Sequence, residues 1–243
     1  MKVLVVGESC RDVFVYGACN RLCPEAPVPV FNPIKETENA GMAGNVYRNI
    51  SSLGVDANLF TNENWKDIKK TRYIDYNMNH MFIRIDENDK DYGRADLRKL
   101  RYKNYDAIVI SDYDKGFITE SDIEHIAQKH DLVFLDTKKI LGSWCKNVKY
   151  IKINNLEYER TKHTISNDIK DKLIITMSRD GCKHQNVIYP VPEAQIKDSS
   201  GAGDTFISGL VVKYIQTSDI SLSIKYANEC ATSVVQKRGV STI

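Results

Sequence analysis

The chain has no apolar run of the roughly 18 residues that a membrane helix needs. It has almost no charge imbalance, with 34 Lys and Arg against 32 Asp and Glu. That balance excludes a uniformly basic nucleic-acid binder and an acidic disordered tail, but leaves room for a local basic pocket. None of the six cysteines, Cys10, Cys19, Cys23, Cys145, Cys182 and Cys230, stands in C-x-x-C spacing. Paired zinc ligands are therefore not expected, and the thiols read as reduced, cytoplasmic ones. The N-terminus lacks a cleavage region and reads as a strand, not a secretory leader. Repeats and low-complexity tracts are missing too. What is left is 243 residues, 42% hydrophobic. That is enough core for one compact domain with neither membrane nor nucleic acid as partner.

Short apolar runs alternate with helical patterns. Lys2–Val6, Ala107–Ser111, Leu132–Asp136, Tyr150–Ile153 and Lys172–Thr176 are rich in β-branched residues and apolar at consecutive positions. Strands buried on both faces have this pattern. Helical patterns cover Ala43–Leu53, Glu120–Lys129, Asn155–Lys162, Ala202–Ile215 and Asp219–Lys237. The alternation predicts an α/β fold with a largely parallel sheet covered on both sides.

Val13–Pro33 breaks the alternation with Pro24, Pro27, Pro29 and Pro33. Proline cannot donate in a sheet interior, so this segment reads as an edge strand or a projecting ribbon. Thr71–Tyr76 and Met81–Ile85 form a second strand-like pair around a turn at Asn77–Asn79. These pieces are expected either to build a small sheet over the ligand end or to form an ordinary solvent-facing hairpin. The charge-dense stretch Asp86–Lys103 reads as a solvated loop and exposed helix.

Asp198-Ser-Ser-Gly-Ala-Gly-Asp-Thr205 lies between a strand-like stretch, Glu193–Lys197, and a long apolar helix pattern. Two glycines let a ligand approach the backbone, and the first amides of the helix have no intrahelical acceptor. With the helix dipole they make an anion hole for a transferring phosphoryl group. It is not a Walker loop, because no Gly-Lys-Ser/Thr follows. Asp204 beside that hole repels phosphate unless it takes a proton from an attacking hydroxyl. Alone, it is equally an ordinary first-turn aspartate. Asn154 and Glu157, after an apolar strand, are suited to hold hydrated Mg²⁺ near phosphates or to form a capping box. The clusters Ser111–Gly116 and Asp136–Lys139 also follow apolar strands. Ligands bind at the carboxyl ends of strands in such sheets, and Lys115 and Lys138 can meet phosphate there as point charges. Polar loop residues are the alternative for each cluster singly.

The order of these segments resembles the ribokinase-like (PfkB-type) carbohydrate kinases. Within them it resembles the kinase domain of bifunctional enzymes that phosphorylate D-glycero-β-D-manno-heptose 7-phosphate in lipopolysaccharide precursor synthesis. Val5–Gly17 resembles the opening strand with its sugar-binding aspartate, here Asp12. Arg21–Phe31 resembles the Arg-x-x-Pro-Glu-Ala-Pro-Val-Pro-Val lid segment, and Ala40–Gly54 the Gly-Gly-Ala-Ala-Asn helix start. SDYDKG, DTKK, NNLE and DSSGAGDT follow in order, and Ala227–Thr242 resembles the closing helix near the adenine pocket.

The resemblance implies a three-layer α/β/α kinase with a small β lid near residues 13–33 and 71–85, spanning 1–243 with no nucleotidyltransferase domain. It implies ATP, Mg²⁺ and a sugar-phosphate acceptor, with K⁺ as a further cation. Asp204 is implied as the base, with Gly201, Ala202 and Gly203 as the anion hole. Asp12, Gly41, Asn45, Asp112 and Lys115 are implied on the acceptor. Lys138, Asn154, Glu157, Thr176, Ser200 and Asn228 are implied on ATP or its phosphates, Glu157 also on the metal through water. Asp198 is implied near the monovalent cation, and a homodimer through the lid is expected. Two departures stand out. Met42 replaces the second glycine of the Gly-Gly pair and is expected to narrow the pocket. The chain between Phe60 and Thr71 is shorter than the family pattern. Another acceptor sugar or nucleoside, or a non-catalytic binding protein with the same fold, are the alternative functions.

Overall fold

A computed structural model describes residues 1–243. In chain order it has β1 (Lys2–Gly7), β2 (Ser9–Leu22), β3 (Pro29–Met42), α1 (Ala43–Ser52), β4 (Asp56–Phe60), β5 (Lys69–Asp75) and β6 (Met81–Glu87). Then come β7 (Ala107–Asp112), α2 (Glu120–Lys129), β8 (Val133–Thr137), β9 (Tyr150–Asn154), α3 (Asn155–Thr161), α4 (Asn167–Lys170) and β10 (Leu173–Thr176). Two short strands, β11 (Cys182–His184) and β12 (Val187–Tyr189), and two long helices, α5 (Ala202–Thr217) and α6 (Ile220–Val235), complete the chain.

The expected apolar strands all form, and they divide their side chains between two cores. Val3 and Val5 of β1 enter one core, while Leu4 and Val6 enter the other; Val109 and Ile110 of β7 separate in the same way. A strand apolar on both faces needs cover on both. α2 supplies it on one side, and α1, α5 and α6 on the other. Each fully buried Val or Ile contributes about 1.5–3 kcal/mol relative to exposure, which fixes the strands in the middle layer. The eight strands run in the order β12-β11-β10-β9-β8-β7-β1-β4. They are parallel from β10 to β4 and antiparallel at β11 and β12. This is the α/β/α arrangement expected, with β11 and β12 as additions.

The proline-containing segment and the strand-like pair form a second sheet, β3-β2-β5-β6. β2 runs antiparallel to β3 and parallel to β5, and β6 returns antiparallel along β5. The turn between β5 and β6 forms as expected. Asp75 Oδ1 accepts from the amides of Asn77 and Met78 at 2.9 and 2.7 Å.

Three expectations change. Glu193–Lys197 is not a strand; it runs as irregular chain toward the start of α5. Asp86–Lys103 is not only a solvated loop, because Tyr92 is 1% exposed and packs in the core beneath α2. Met42 does not project into a pocket. Its side chain is buried in that same core, although its φ of +58° keeps the backbone of a glycine position. The short passage after β4 is anchored by buried Asn62, whose Oδ1 accepts from the Ser9 amide at 2.8 Å.

Candidate active site

Gly201 precedes α5 in the left-handed region, φ +78°, where glycine is favoured. A Cβ there would stand 2.7 Å from Asn45 Nδ2, so the glycine also gives Asn45 its place. The Ala202 amide is turned to Ser199 O at 3.3 Å, whereas the Gly203 and Asp204 amides have no acceptor in the protein. The helix start thus offers free amides, though not every residue of the expected trio contributes one. Behind it, Lys152 Nζ comes within 2.8 Å of where a Cβ of Gly203 would lie. A missing side chain therefore lets an ammonium group approach the anion hole from the sheet side.

The carboxylate of Asp204 is 7% exposed. Its Oδ2 accepts from Asn45 Nδ2 at 2.9 Å, and its Oδ1 from the Tyr113 hydroxyl at 2.8 Å. Burial is the main force pushing its pKa up to about 6; Asn45 and Tyr113 pull it back down, Asp136 pushes with burial, and Lys152 opposes. A carboxylate with that pKa is ionised at neutral pH yet basic enough to take a proton. α1 delivers Asn45 through its buried face, where Val46 and Ile50 pack against the sheet.

Lys152 interrupts the apolar run of β9. It lies on the α5 side, in register with Asp136 of β8, and its Nζ is 2.8 Å from Asp136 Oδ2. Burial lowers the Lys152 pKa, but Asp136, Glu157 and Asp204 together outweigh it and keep the ammonium charged. Lys138 lies with Nζ 4.2 Å above the Tyr113 ring, and its charge also acts on Glu157. At Asn154 and Glu157 the capping box is real. Asn154 Oδ1 accepts from the Glu157 amide at 2.9 Å, and Glu157 Oε2 from the Asn154 amide at 2.7 Å. Oε1 of Glu157 keeps no protein donor. Burial raises the Glu157 pKa. No group of three or more metal-type ligands gathers anywhere. One carboxylate oxygen beside a phosphate site fits Mg²⁺ carried mainly by a nucleotide, since Mg²⁺ keeps several waters.

The lid supplies the other side of the site. Asp12 of β2 is buried, and its Oδ1 accepts from Arg72 Nη1 of β5 at 2.7 Å. A Cβ on Gly41 would fall 2.3 Å from Asp12 Oδ2, so Gly41 leaves room for this carboxylate and does not itself reach outward. Arg72 also lies over the Phe14 ring at 5.0 Å. Lys70 and Lys115 both reach Asp89, at 3.0 and 2.9 Å. With Tyr92, these hydrogen bonds overcome burial and lower the Asp89 pKa to about 2.

Two expected acceptor residues are therefore engaged within the protein. Lys115 pairs with Asp89. Asp112 is 1% exposed and is bonded to the Thr137 hydroxyl, Lys139 Nζ and the Asp114 amide. It braces the ends of β7 and β8 and is buried among these partners.

A cavity of about 660 Å³ opens on the other side of the α5 start. Thr176, Ser178–Gly181, Ala202, Gly203, Asn228 and Thr232 line it, with apolar Val191, Ile196, Phe206 and Val235. Thr176 and Asn228 thus share this cavity with the start of α5, and Asn228 Nδ2 is held by Tyr189 O at 3.0 Å. Ser200 donates its amide to Asp198 Oδ1 at 2.8 Å, so that carboxylate shapes the turn into α5.

The sequence reading singled out neither Tyr113 nor Arg72, nor the Lys152–Asp136 pair, as site residues. A signal existed for Lys152, a charge inside an otherwise apolar strand with both faces covered. Glu8, 0% exposed and just beyond β1, carries the same signal. Nothing local distinguished Arg72, because its partner lies 60 residues away.

A family model described as pfkB family carbohydrate kinase matches residues 60–243. The bifunctional protein HldE of Helicobacter pylori (strain J99) is 28% identical over 294 aligned positions, covering 98% of this chain and 63% of that protein. The alignment is longer than the chain, so the relative carries internal segments that this chain lacks, and the chain spans under two thirds of its length. Among solved structures, the Methanocaldococcus jannaschii nucleoside kinase superposes with a TM-score of 0.72 at 17% identity, over 98% of this chain and 93% of that one. An Arabidopsis thaliana ribokinase complexed with ribose and ATP gives 0.72 at 14% identity, with the same coverage.

Proposed function

The chain belongs to the pfkB family of carbohydrate kinases, and from that membership we propose an ATP- and Mg²⁺-dependent kinase whose acceptor is a sugar phosphate, D-glycero-β-D-manno-heptose 7-phosphate, converted to the 1,7-bisphosphate. The observation that carries this reading is Asp204, buried between Asn45 and Tyr113 beside amides that have no acceptor. Asp204 accepts the proton of the acceptor hydroxyl. The hydroxyl oxygen bonds to the γ-phosphorus while the bond to the β-phosphate oxygen breaks, and ADP leaves. Charge on the transferring group meets the Gly203 and Asp204 amides, with the Lys152 ammonium behind them. This supplies positioning and electrostatic stabilisation, the main contributions to phosphoryl transfer. Mg²⁺, when bound with the nucleotide near Glu157, supplies charge neutralisation for the phosphates. Asp198 is the side chain nearest to a role at a K⁺ loop.

An acceptor that already carries a phosphate is supported by the lid. Arg72 lies on its Asp12 face and spends only Nη1 on Asp12, leaving its other guanidinium donors without a protein acceptor. A homodimer is supported by the opposite lid face, where Ile83 and Ile85 are 55% and 42% exposed. The deciding assay is ADP release corrected for hydrolysis, with heptose 7-phosphate against unphosphorylated sugars. Asp204→Asn should lower kcat by about 10²–10⁴-fold while nucleotide still raises the melting temperature. Equal rates in both proteins with every acceptor would end the kinase reading.

A further inference from the structure

Resting on the kinase reading, we propose that Tyr113 is a positioning residue for the base: its hydroxyl holds Asp204 Oδ1 in place throughout the reaction, and it is not a plug that must leave. The 2.8 Å contact to Oδ1 is the start of the argument. What decides between a holder and a plug is how the tyrosine is mounted. A plug needs a loop that can swing, and this loop is fastened at successive points. Buried Glu8 accepts from the Tyr113 amide through Oε2 at 2.9 Å and from the Lys115 amide through Oε1 at 3.1 Å. Asp112 Oδ1 accepts from the Asp114 amide at 3.1 Å, and Lys139 bridges Asp112 and Asp114 at 2.9 and 2.8 Å. Lys138 lies over the tyrosine ring itself. Swinging the loop out would leave a buried glutamate without its donors, a costly state, and turning the ring on a fixed backbone would give up both Asp204 and Lys138.

The carboxylate has room for both tasks. Each oxygen accepts more than one hydrogen bond, and Asn45 and Tyr113 occupy one position on each. A lone pair is left for the incoming hydroxyl. Asp204 faces the neutral amide of Asn45 from α1 and three titratable groups, Tyr113 from the loop after β7, Asp136 from β8 and Lys152 from β9. Asp136 pushes the proton affinity of Asp204 up, and Lys152 pushes it down. Tyr113 stays a donor at working pH, since burial and then the charges of Asp204 and Asp136 raise its own pKa well above the usual value. Removing the hydroxyl therefore leaves Asp204 more easily protonated.

The test is Tyr113→Phe, which keeps the ring and its cation and deletes one oxygen. The acid limb of kcat/KM should move up by about one pH unit, a loss of about tenfold below the limb, while KM for ATP stays unchanged. A second readout needs no turnover. In ¹³C-carboxyl-labelled aspartate spectra, with the Asp204 signal assigned by its loss in Asp204→Asn, the midpoint should rise by a similar amount in the Phe variant. An unmoved midpoint overturns the positioning role, as does a Phe variant that is faster than wild type at every pH. A wild type without turnover bears on the kinase reading alone, because the carboxyl titration still decides the role of Tyr113.

Discussion

At the start of α5, the groups offered to a phosphate are main-chain amides backed by one buried ammonium. On the lid, the groups offered to an acceptor are long side chains gathered from several strands. The first arrangement is set by neighbours in sequence: Gly201, Gly203 and Asp204 lie within four residues, and the helix orients their amides by its own geometry. The second depends on register. Asp12 pairs opposite Lys70 and Phe14 opposite Arg72 across β2 and β5, and a slip of one residue in either strand would turn its two side chains to the other face. The backbone end is rigid and suited to a group that every ATP presents in the same way. On the proposed function, the side-chain end is the one that meets the acceptor.

Breaking the buried pair behind the anion hole should have the largest effect. Lys152→Met leaves Asp136 without its counter-charge and should lower stability by about 3 kcal/mol in urea unfolding. Lys152→Met with Asp136→Leu should recover most of that loss while catalysis stays impaired, because the charge behind the amides is gone. Recovery of full activity in the double variant would mean that Lys152 only packs.

Arg72→Met tests the other region. It should raise KM for a phosphorylated acceptor about tenfold, roughly 1.4 kcal/mol, and leave KM for ATP alone. An equal rise for unphosphorylated sugars would make Arg72 a support for Asp12 and remove its role in acceptor choice.

The pH profile of the wild type bears on the first region. Asp204 acts as a base only when ionised, so kcat/KM should fall about tenfold per unit below a limb near pH 6. The sign for stability is opposite. A carboxylate whose pKa is raised from 3.8 holds its proton more tightly when folded, so this one group costs stability fully above its folded pKa. That cost shrinks as the pH falls through the interval between the two values.

The smallest expected effect concerns the outer lid face. Ile83→Lys changes an exposed side chain and should alter the unfolding free energy of the monomer by no more than about 0.5 kcal/mol. It should nevertheless abolish self-association measured by sedimentation. An unchanged association state would move the dimer contact away from β6.

How much of this was legible beforehand differs along the chain in the same way. Strands such as β1 and β7 were readable because residues apolar at consecutive positions have only one stable environment, a sheet covered on both sides. The start of α5 was readable because its glycines and acid sit in one local motif. Asp112 was expected on the sugar because a carboxylate at a strand end looks the same whether it faces a pocket or, as here, the Thr137 hydroxyl of β8 and Lys139 just beyond it. The Glu193–Lys197 stretch alternates like a strand but has no neighbour to pair with, and strand character requires a partner. Asp86–Lys103 is rich in charge, yet Tyr92 reaches the core and Asp89 collects two lysines, a result of chain folding that composition does not reveal.

The sequence by itself determined the layered fold and the free amides at the start of α5, since both follow from short-range periodicity and from the geometry of a helix start. Only the tertiary structure decided that Asp204 is held by Asn45 and Tyr113, that Lys152 stands behind Gly203, and that Arg72 meets Asp12. Those contacts join residues 51 to 159 positions apart, and whether a buried charge finds its partner depends on packing, which no local pattern encodes.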